Sequence, residues 1–316
     1  MHLPDGFLDA KTAVATAALS FVGLGGALHG AKARLERRKI PLMGVAGAFV
    51  FAAQMLNFPV AAGTSGHLMG SVLAAVLLGP GPAVIVMTSV LLVQALVFAD
   101  GGLLALGANV FNMAIVGTVG GYGVYWLLIK VFRGDRGRLV AAGVASWFSI
   151  VLAATCVAGE LAWSGTVSWN AAFPAMASVH MVIGLGEAII TTLVIAAISL
   201  TRPELLASSS SPQGYRTVVL LGLVVTAGVV VIVLPFASPW PDGLAKVASL
   251  LGFEQRAASE PLLPSILRGY QVPGLHSAGT AMALAGLIGS ALAFGISALL
   301  AKTLLPSSRS TDRRGP

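Results

Sequence analysis

The chain has 316 residues, of which 56% are hydrophobic and only 10% are charged. Because a soluble domain carries about 25% charged residues, this composition predicts a membrane protein that crosses the bilayer several times. The net charge of +7 does not require nucleic acid, since membrane proteins concentrate lysine and arginine on one side. We expect membrane lipid, and no nucleic acid, among its partners. The single cysteine, Cys156, excludes an internal disulfide and a cysteine-based metal cage.

Nine apolar segments follow one another along the chain and predict its transmembrane helices. A helix needs about twenty residues to cross the hydrocarbon core. Only Pro80 separates the third segment from the fourth, so the limits of these two are uncertain. The sequence therefore predicts an all-α polytopic membrane protein with about nine transmembrane helices. The segments cover approximately residues 12–30, 41–58, 66–79, 81–99, 103–131, 138–160, 174–201, 217–236 and 277–301.

The basic residues predict the orientation of these helices. With nine spans, most lysines and arginines fall on one side: after segments one, five and nine, and beside the connection after segment seven. By the positive-inside rule that side is cytoplasmic, and the amino terminus lies outside. We expect a multi-pass protein of the cell membrane, of bacterial origin. The opposite side carries only Lys11, Lys246, Arg256 and Arg268.

A polar, serine-rich stretch divides the chain into two units. Residues 202–216 read Arg-Pro-Glu-Leu-Leu-Ala-Ser-Ser-Ser-Ser-Pro-Gln-Gly-Tyr-Arg, which is typical of a linker. We expect a seven-helix unit over residues 1–201, this cytoplasmic linker, and a two-helix unit over residues 217–316. The second unit contains an extracytoplasmic loop, residues 237–276.

The first residues contain a pattern that favours metal binding. When histidine is second in a chain, the α-amine, the His2 amide and the His2 Nδ1 can close a five-membered and a six-membered ring around one metal. With the amide deprotonated, these donors favour the square-planar coordination of Ni²⁺ or Cu²⁺. The start lacks the basic region and cleavage site of a signal peptide. Bulky His2 should also hinder methionine aminopeptidase, so we expect Met1 to be retained. The alternative is that His2 is an ordinary residue in a frayed terminus.

His67 is the predicted fourth nitrogen donor. It follows Gly63-Thr64-Ser65-Gly66 at the expected outer start of helix three, where Thr64 or Ser65 would cap the helix. The helix dipole would favour the neutral, metal-binding imidazole there. The alternative is an interfacial histidine bonded to a loop. His29, at the cytoplasmic end of helix one, and His276, at the outer end of helix nine, are not expected to be ligands.

Polar residues within the apolar segments concentrate toward the predicted outer side. Such residues are costly in lipid and commonly face the interior of the bundle, so they predict a polar pocket near the amino terminus. The alternative is that each one only joins two helices by hydrogen bonds, worth about 0.6 kcal/mol per contact. With Ser65, the candidates around the metal are Gln54, Asn57, Gln94, Asn109, Asn112, His180 and Glu187.

In these motifs the chain resembles the CbiM/NikM proteins, substrate-binding membrane components of energy-coupling-factor transporters for nickel and cobalt. The resemblance implies a metal site formed by the Met1 amine, the amide and imidazole of His2, and His67. Ni²⁺ or Co²⁺ is then the transported substrate, and no cofactor is expected. The resemblance covers the first two hundred residues and rests on Met-His-Leu-Pro-Asp-Gly-Phe-Leu at 1–8, Phe-Ala-Ala-Gln-Met-Leu-Asn-Phe-Pro-Val at 51–60, Gly-Thr-Ser-Gly-His-Leu at 63–68, Asp-Gly-Gly-Leu-Leu-Ala-Leu-Gly-Ala-Asn at 100–109 and His-Met-Val-Ile-Gly-Leu-Gly-Glu-Ala at 180–188.

The second unit resembles the small NikN/CbiN partner, which carries a Pro-Asp-Gly-Leu-Glu motif. Here residues 241–253 begin Pro-Asp-Gly-Leu-Ala, so Ala245 stands where glutamate is usual, and Ser249 and Leu250 stand where acids are common. These departures argue against direct metal contact by the loop. We expect the second unit to assist transport without supplying a ligand.

The sequence has no Gly-x-x-x-x-Gly-Lys-Ser/Thr phosphate loop, so the chain is not expected to hydrolyse ATP or to be an enzyme. The resemblance implies a transmembrane coupling protein (CbiQ/NikQ-like) and a pair of cytoplasmic ATPases (CbiO/NikO-like). An intramembrane metalloenzyme using His180 and Glu187 is an alternative, but it lacks a His-Glu-x-x-His pattern. A metal-ion channel is a further alternative, against which the one-sided distribution of the polar residues argues.

Overall fold

The computed structural model describes residues 1–34, 36–206, 215–275 and 277–304. The centre of the predicted linker and His276 lie outside these residues. Ten helices and one short hairpin make up the described chain. They are α1 (Ala10–Arg34), α2 (Ile40–Met55), β1 (Asn57–Pro59), β2 (Ser65–His67), α3 (Ser71–Leu78), α4 (Pro80–Phe98), α5 (Leu106–Val131), α6 (Gly134–Trp163), α7 (Trp169–Thr201), α8 (Arg216–Phe236), α9 (Gly243–Leu251) and α10 (Ala278–Leu304).

The structure confirms an all-α polytopic membrane protein, with a different number of full spans. In the described residues, seven helices are long and apolar enough to cross a membrane. The predicted segments 41–58 and 66–79 form the shorter helices α2, of 16 residues, and α3, of 8 residues. At 1.5 Å per residue these rise about 24 and 12 Å, less than the roughly 30 Å of the hydrocarbon core.

The short length of α3 follows from the chain before it, which enters the molecule in an extended conformation. Strand β2 pairs antiparallel with β1, placing His67 opposite Asn57. The Glu187 carboxylate of α7 then accepts the Met69 N–H at 2.6 Å and the Gly70 N–H at 2.9 Å. In a membrane protein, non-helical backbone is tolerated where protein groups satisfy its hydrogen bonds. The predicted helical position of His67 is therefore wrong, and Thr64 and Ser65 are not helix caps.

Helix α2 joins the two halves of the sequence through small residues. A Cβ atom at Gly47 would lie 2.4 Å from the Ser297 Oγ of α10, and one at Gly44 would lie 2.8 Å from the Phe294 ring. In return, a Cβ at Gly289 would overlap the Phe51 ring of α2, at 2.0 Å. Glycines at these points allow the close approach typical of membrane helices. The carboxy-terminal helices thus pack directly against the amino-terminal unit.

The chain between α8 and α10 covers the β-hairpin. The Ser238 N–H donates to the Asn57 carbonyl at 2.8 Å, and the Ser65 N–H donates to the Pro241 carbonyl at 2.9 Å. The Ser65 hydroxyl also donates to the Trp240 carbonyl at 2.7 Å. Helix α9, which sequence reasoning did not predict within this loop, then begins beside α7. These bonds fix the loop over His67.

Candidate metal centre

The amino-terminal residues are folded into the protein. Met1 is 5% exposed and Leu3 is fully buried. The Asn109 side chain of α5 binds Leu3 twice: its Oδ1 accepts the Leu3 N–H at 2.8 Å, and its Nδ2 donates to the Leu3 carbonyl at 3.1 Å. The Gly102 N–H donates to the same carbonyl at 2.8 Å. Asn109 therefore positions the terminus, and a frayed end is not what the structure shows.

Asp5 is a second anchor of the terminus, and sequence reasoning did not select it. Its carboxylate accepts the N–H groups of Leu103, Leu104 and Ala105 at 2.8–3.2 Å, just before α5 begins. A carboxylate at this position satisfies main-chain donors that the helix leaves unpaired. The available signal was an aspartate directly after a proline at the start of a buried segment.

The Met1 nitrogen lies between an imidazole and a carboxylate. It is 2.9 Å from His67 Nε2 and 2.5 Å from Asp242 Oδ2. The amine thus forms an ion pair with Asp242 while it faces a predicted metal ligand. The predicted departures at Ala245 and Ser249 do not affect this contact, because Asp242 comes earlier in the motif and also caps α9 through the Ala245 N–H.

The structure leaves one nitrogen of His67 available for a ligand. His67 Nδ1 lies 3.2 Å from the Leu68 carbonyl, which accepts a hydrogen bond from Nδ1–H. Nε2 therefore carries the lone pair and faces Met1. Burial, followed by the positive amino terminus, holds the pKa of His67 well below its ordinary value of 6.5. The imidazole is therefore neutral at pH 7 and ready to bind a cation.

A chain of amides orients His2 in the same way. His2 Nε2 lies 3.1 Å from Gln94 Oε1, while Gln94 Nε2 donates to Gln54 Oε1 at 2.9 Å. Gln54 Nε2 in turn donates to the Met69 carbonyl at 2.8 Å. Because the NH₂ group of each glutamine already donates a hydrogen bond, the Gln94 oxygen is the atom that faces His2. It accepts a hydrogen bond from His2 Nε2–H. Nδ1, the atom required for the chelate, then carries the lone pair.

The unprotonated Nδ1 of His2 faces a carboxylate. Asp100 Oδ1 lies 3.5 Å from it, and the other oxygen of Asp100 accepts the Tyr270 hydroxyl. Burial lowers the pKa of His2, although the charge of Asp100 opposes this effect. A neutral imidazole nitrogen facing an anionic oxygen has no proton to share, so the pair favours a cation at that position. The His2 and His67 rings stack with centroids 5.4 Å apart.

Asp242 is ionised in this arrangement. Burial raises the pKa of Asp242, but the positive amino terminus, His67 and the Ala245 N–H lower it by more. The pKa therefore lies below its ordinary value. The separation of 241 residues from Met1 explains why sequence reasoning missed the pair. The only signal was the Pro-Asp-Gly motif itself.

The remaining predicted residues make different contacts around this candidate centre. His180 lines a cavity with Met1 and His67, whereas Glu187 binds the backbone just after His67. Asn57 and Ser65 position the hairpin and its covering loop through main-chain contacts. Asn112 donates to the Glu160 carboxylate at 2.8 Å, within the α5–α6 contact.

No group of three or more His, Cys, Asp or Glu side chains among residues 1–34, 36–206, 215–275 and 277–304 could hold a metal. At the amino terminus, two nitrogens that are not in side chains, the Met1 amine and the His2 amide, lie beside the neutral imidazoles of His2 and His67. The chemistry of the set suits a nitrogen-bound divalent transition metal.

Comparison with known proteins matches two parts of the chain to two family models. Residues 2–205 match the CbiM family, described as the cobalt uptake substrate-specific transmembrane region, and residues 216–305 match the PDGLE domain. An Archaeoglobus fulgidus protein, provisionally named as a fused nickel transport protein NikMN, is 37% identical over 296 residues, covering 92% of this chain and 95% of its own. A cobalt transport protein CbiM of Thermosediminibacter oceani is 35% identical over 202 residues, covering 62% and 82%.

A solved structure shares the fold of the amino-terminal part. The crystal structure of a truncated transition metal transporter has a TM-score of 0.57 and 35% sequence identity, covering 63% of this chain and 98% of that one. The relatives include archaeal proteins, so the bacterial origin of this chain stays a prediction. By the match of its first 205 residues and its nearly full-length relative, this chain belongs to the CbiM family and carries a PDGLE domain behind it.

Proposed function

We propose that the chain is the substrate-specific component of an ATP-driven energy-coupling-factor importer for nickel or cobalt. It captures Ni²⁺ or Co²⁺ at the outer face with the Met1 amine, the His2 amide and imidazole, and His67. Membership of the CbiM family and the names of the relatives support metal transport in general. A membrane coupling protein and a pair of cytoplasmic ATPases would supply the energy.

The distance between Met1 N and His67 Nε2 carries this proposal. Neighbouring corners of a square plane lie about 2.8 Å apart when each metal–nitrogen bond is about 2.0 Å long. The observed 2.9 Å therefore fits two ligands next to each other around one ion. The chelate of residues 1 and 2 fills three corners, and His67 takes the fourth, beside the amine.

Metal binding requires the amine to exchange its proton for the cation. Before binding, Asp242 and His67 hold the ammonium within reach of the other donors. The bonds of Asn109 and Gly102 to Leu3 place the terminus in advance, which reduces the ordering cost of binding. The second unit contributes Asp242 to this state without being required as a ligand.

The test replaces His67, since it is the ligand most distant in sequence from the chelate. His67→Ala should lower the nickel affinity by at least about tenfold, or about 1.4 kcal/mol, because three corners of the plane remain. His29→Ala, at an exposed position on α1, is the matched control and should bind as the wild type does. Titration calorimetry of the purified proteins measures both, and equal affinities would overturn the proposed site.

A further inference from the structure

One buried nitrogen next to the candidate metal centre has no partner. His180 of α7 is 2% exposed, and its Nδ1 lies 2.8 Å from the Met176 carbonyl one turn earlier. Because a carbonyl only accepts hydrogen bonds, Nδ1 carries the proton and donates to it, so Nε2 carries a lone pair. Among the residues that the structure describes, Nε2 has no hydrogen-bond partner. Because buried polar atoms are nearly always paired, this one requires an explanation.

The nitrogen belongs to a small cavity that the metal centre shares. The cavity has a volume of about 10 Å³, close to the space that one water molecule requires. Met1, His67 and Asp242 line it, so His180 and His67 bring two neutral imidazoles to one space. The long, unbranched side chains of Met69 and Met113 also line it, and such chains adapt readily to a changing volume.

Gly243 keeps the space in front of His180 open. A Cβ atom at this position would lie 2.7 Å from Ile183 Cδ1 and 2.8 Å from both Nε2 and Cε1 of His180. The backbone of Gly243 does not adopt a positive φ, so no conformational reason requires glycine. The missing side chain therefore matters for the space that it leaves at the imidazole nitrogen.

We propose that His180 is a transit ligand, which takes Ni²⁺ or Co²⁺ from the chelate as the ion moves inward. This inference rests on the proposed function. The chelate and His67 already fill the four corners of a square plane, which leaves His180 outside the resting coordination. An imidazole nitrogen is a suitable donor for the same ions. His67 faces both positions, so it can hold the ion while the amine and the His2 amide recover their protons.

From His180, helix α7 continues toward its carboxy-terminal end, which the sequence predicts to be cytoplasmic. On α7 His180 is seven residues before Glu187, so the two lie on one face, about 10 Å apart along the axis. Glu187 is occupied by the N–H groups of Met69 and Gly70, and Met69 also lines the cavity. Inward passage thus requires the Met69 segment to move, and His180 is the donor in front of it.

The first test separates transport from binding at equilibrium. His180→Ala and His180→Gln should keep the nickel affinity of the purified full chain within about threefold. Uptake of radioactive Ni²⁺ by cells that contain the complete transporter should fall by about tenfold in both variants. Gln is included because it can still donate a hydrogen bond to the Met176 carbonyl, so a loss in both variants points to ligation instead of packing.

The second test fills the space without removing a donor. Gly243→Ala should reduce uptake as the His180 variants do, because its Cβ approaches Nε2. Gly228→Ala is the matched control, since a Cβ at that position meets no atom within 4 Å, and its uptake should be normal. Elution of each variant as a single monodisperse peak in detergent confirms that it is folded.

Two outcomes would overturn the transit role. Normal uptake by the folded His180 variants would show that the ion does not use this nitrogen. An affinity loss of tenfold or more would make His180 a ligand of the resting site. Either result leaves the proposed function in place if His67→Ala still loses binding, whereas a wild-type chain that binds no nickel would remove both proposals.

Discussion

The Met1 nitrogen is placed between the His67 imidazole and the Asp242 carboxylate. In the structure Asp242 faces one positive charge, the ammonium, because both histidines are neutral at pH 7. In the proposed complex the divalent ion is bound by a neutral amine and an anionic amide, so the net charge is again one. Asp242 therefore faces the same charge before and after binding, and two protons leave.

This balance predicts that Asp242→Asn changes the nickel affinity by less than about threefold, or about 0.7 kcal/mol. Asparagine keeps the cap of α9, so the loop should stay in place. Titration calorimetry in buffers of different ionisation enthalpy should also give about two protons released per ion by the wild type. A loss of more than tenfold would make Asp242 a ligand, and a clear gain would make it a competitor for the amine.

At this scale, sequence reasoning could select Met1, His2 and His67 because the chelate depends on residue types and on position in the chain. It could also select Gln54, Gln94 and Asn109 as polar residues within apolar segments. Asp242 and Asp5 were missed for a physical reason. Each lies in a polar stretch where aspartate is common, and only the folded chain shows which main-chain donors and charges surround it.

Among the secondary-structure elements, the extended chain before α3 has the most direct effect on the site. It carries His67 in β2, and Glu187 of α7 accepts the two N–H groups that follow. Residues 66–79 form one nearly continuous apolar run, so the sequence could not show that its first part is extended. The decisive interaction comes from a carboxylate 117 residues away.

Glu187→Ala should therefore destabilise the protein and weaken metal binding together. Two buried N–H groups lose their acceptor, at a cost of about 1–3 kcal/mol each. The melting temperature in detergent and the nickel affinity should both fall. Glu254→Ala removes an exposed carboxylate and should change neither quantity. If the two variants melt at the same temperature, the Glu187 bonds do not hold the segment.

Over the whole molecule, the two units meet along α2 and at the candidate metal centre. The glycines of α2 and α10 allow close packing, and the loop before α9 covers the hairpin. Sequence reasoning predicted two units from the polar linker, but it could not show that the second reaches Met1. Contacts between distant segments depend on the packing of surfaces, for which a single sequence has no periodic signal.

Truncation after Pro203 tests what the second unit does. We expect the nickel affinity of the remaining chain to stay within about threefold, or about 0.7 kcal/mol, since β2 keeps its pairing with β1 and its bonds to Glu187. Uptake by cells that contain the complete transporter should fall sharply. Lost affinity would place the second unit in the binding site, and full uptake would make it dispensable.

The most direct measurement of the central claim is the nickel affinity of a chain with one alanine inserted between Met1 and His2. The insertion enlarges the chelate and moves the amine away from His67, while both histidine side chains remain. Titration calorimetry against the wild type should show binding at least about tenfold weaker, or about 1.4 kcal/mol. Unchanged affinity would contradict the account, because the amine and the His2 amide would then have no part in holding the metal.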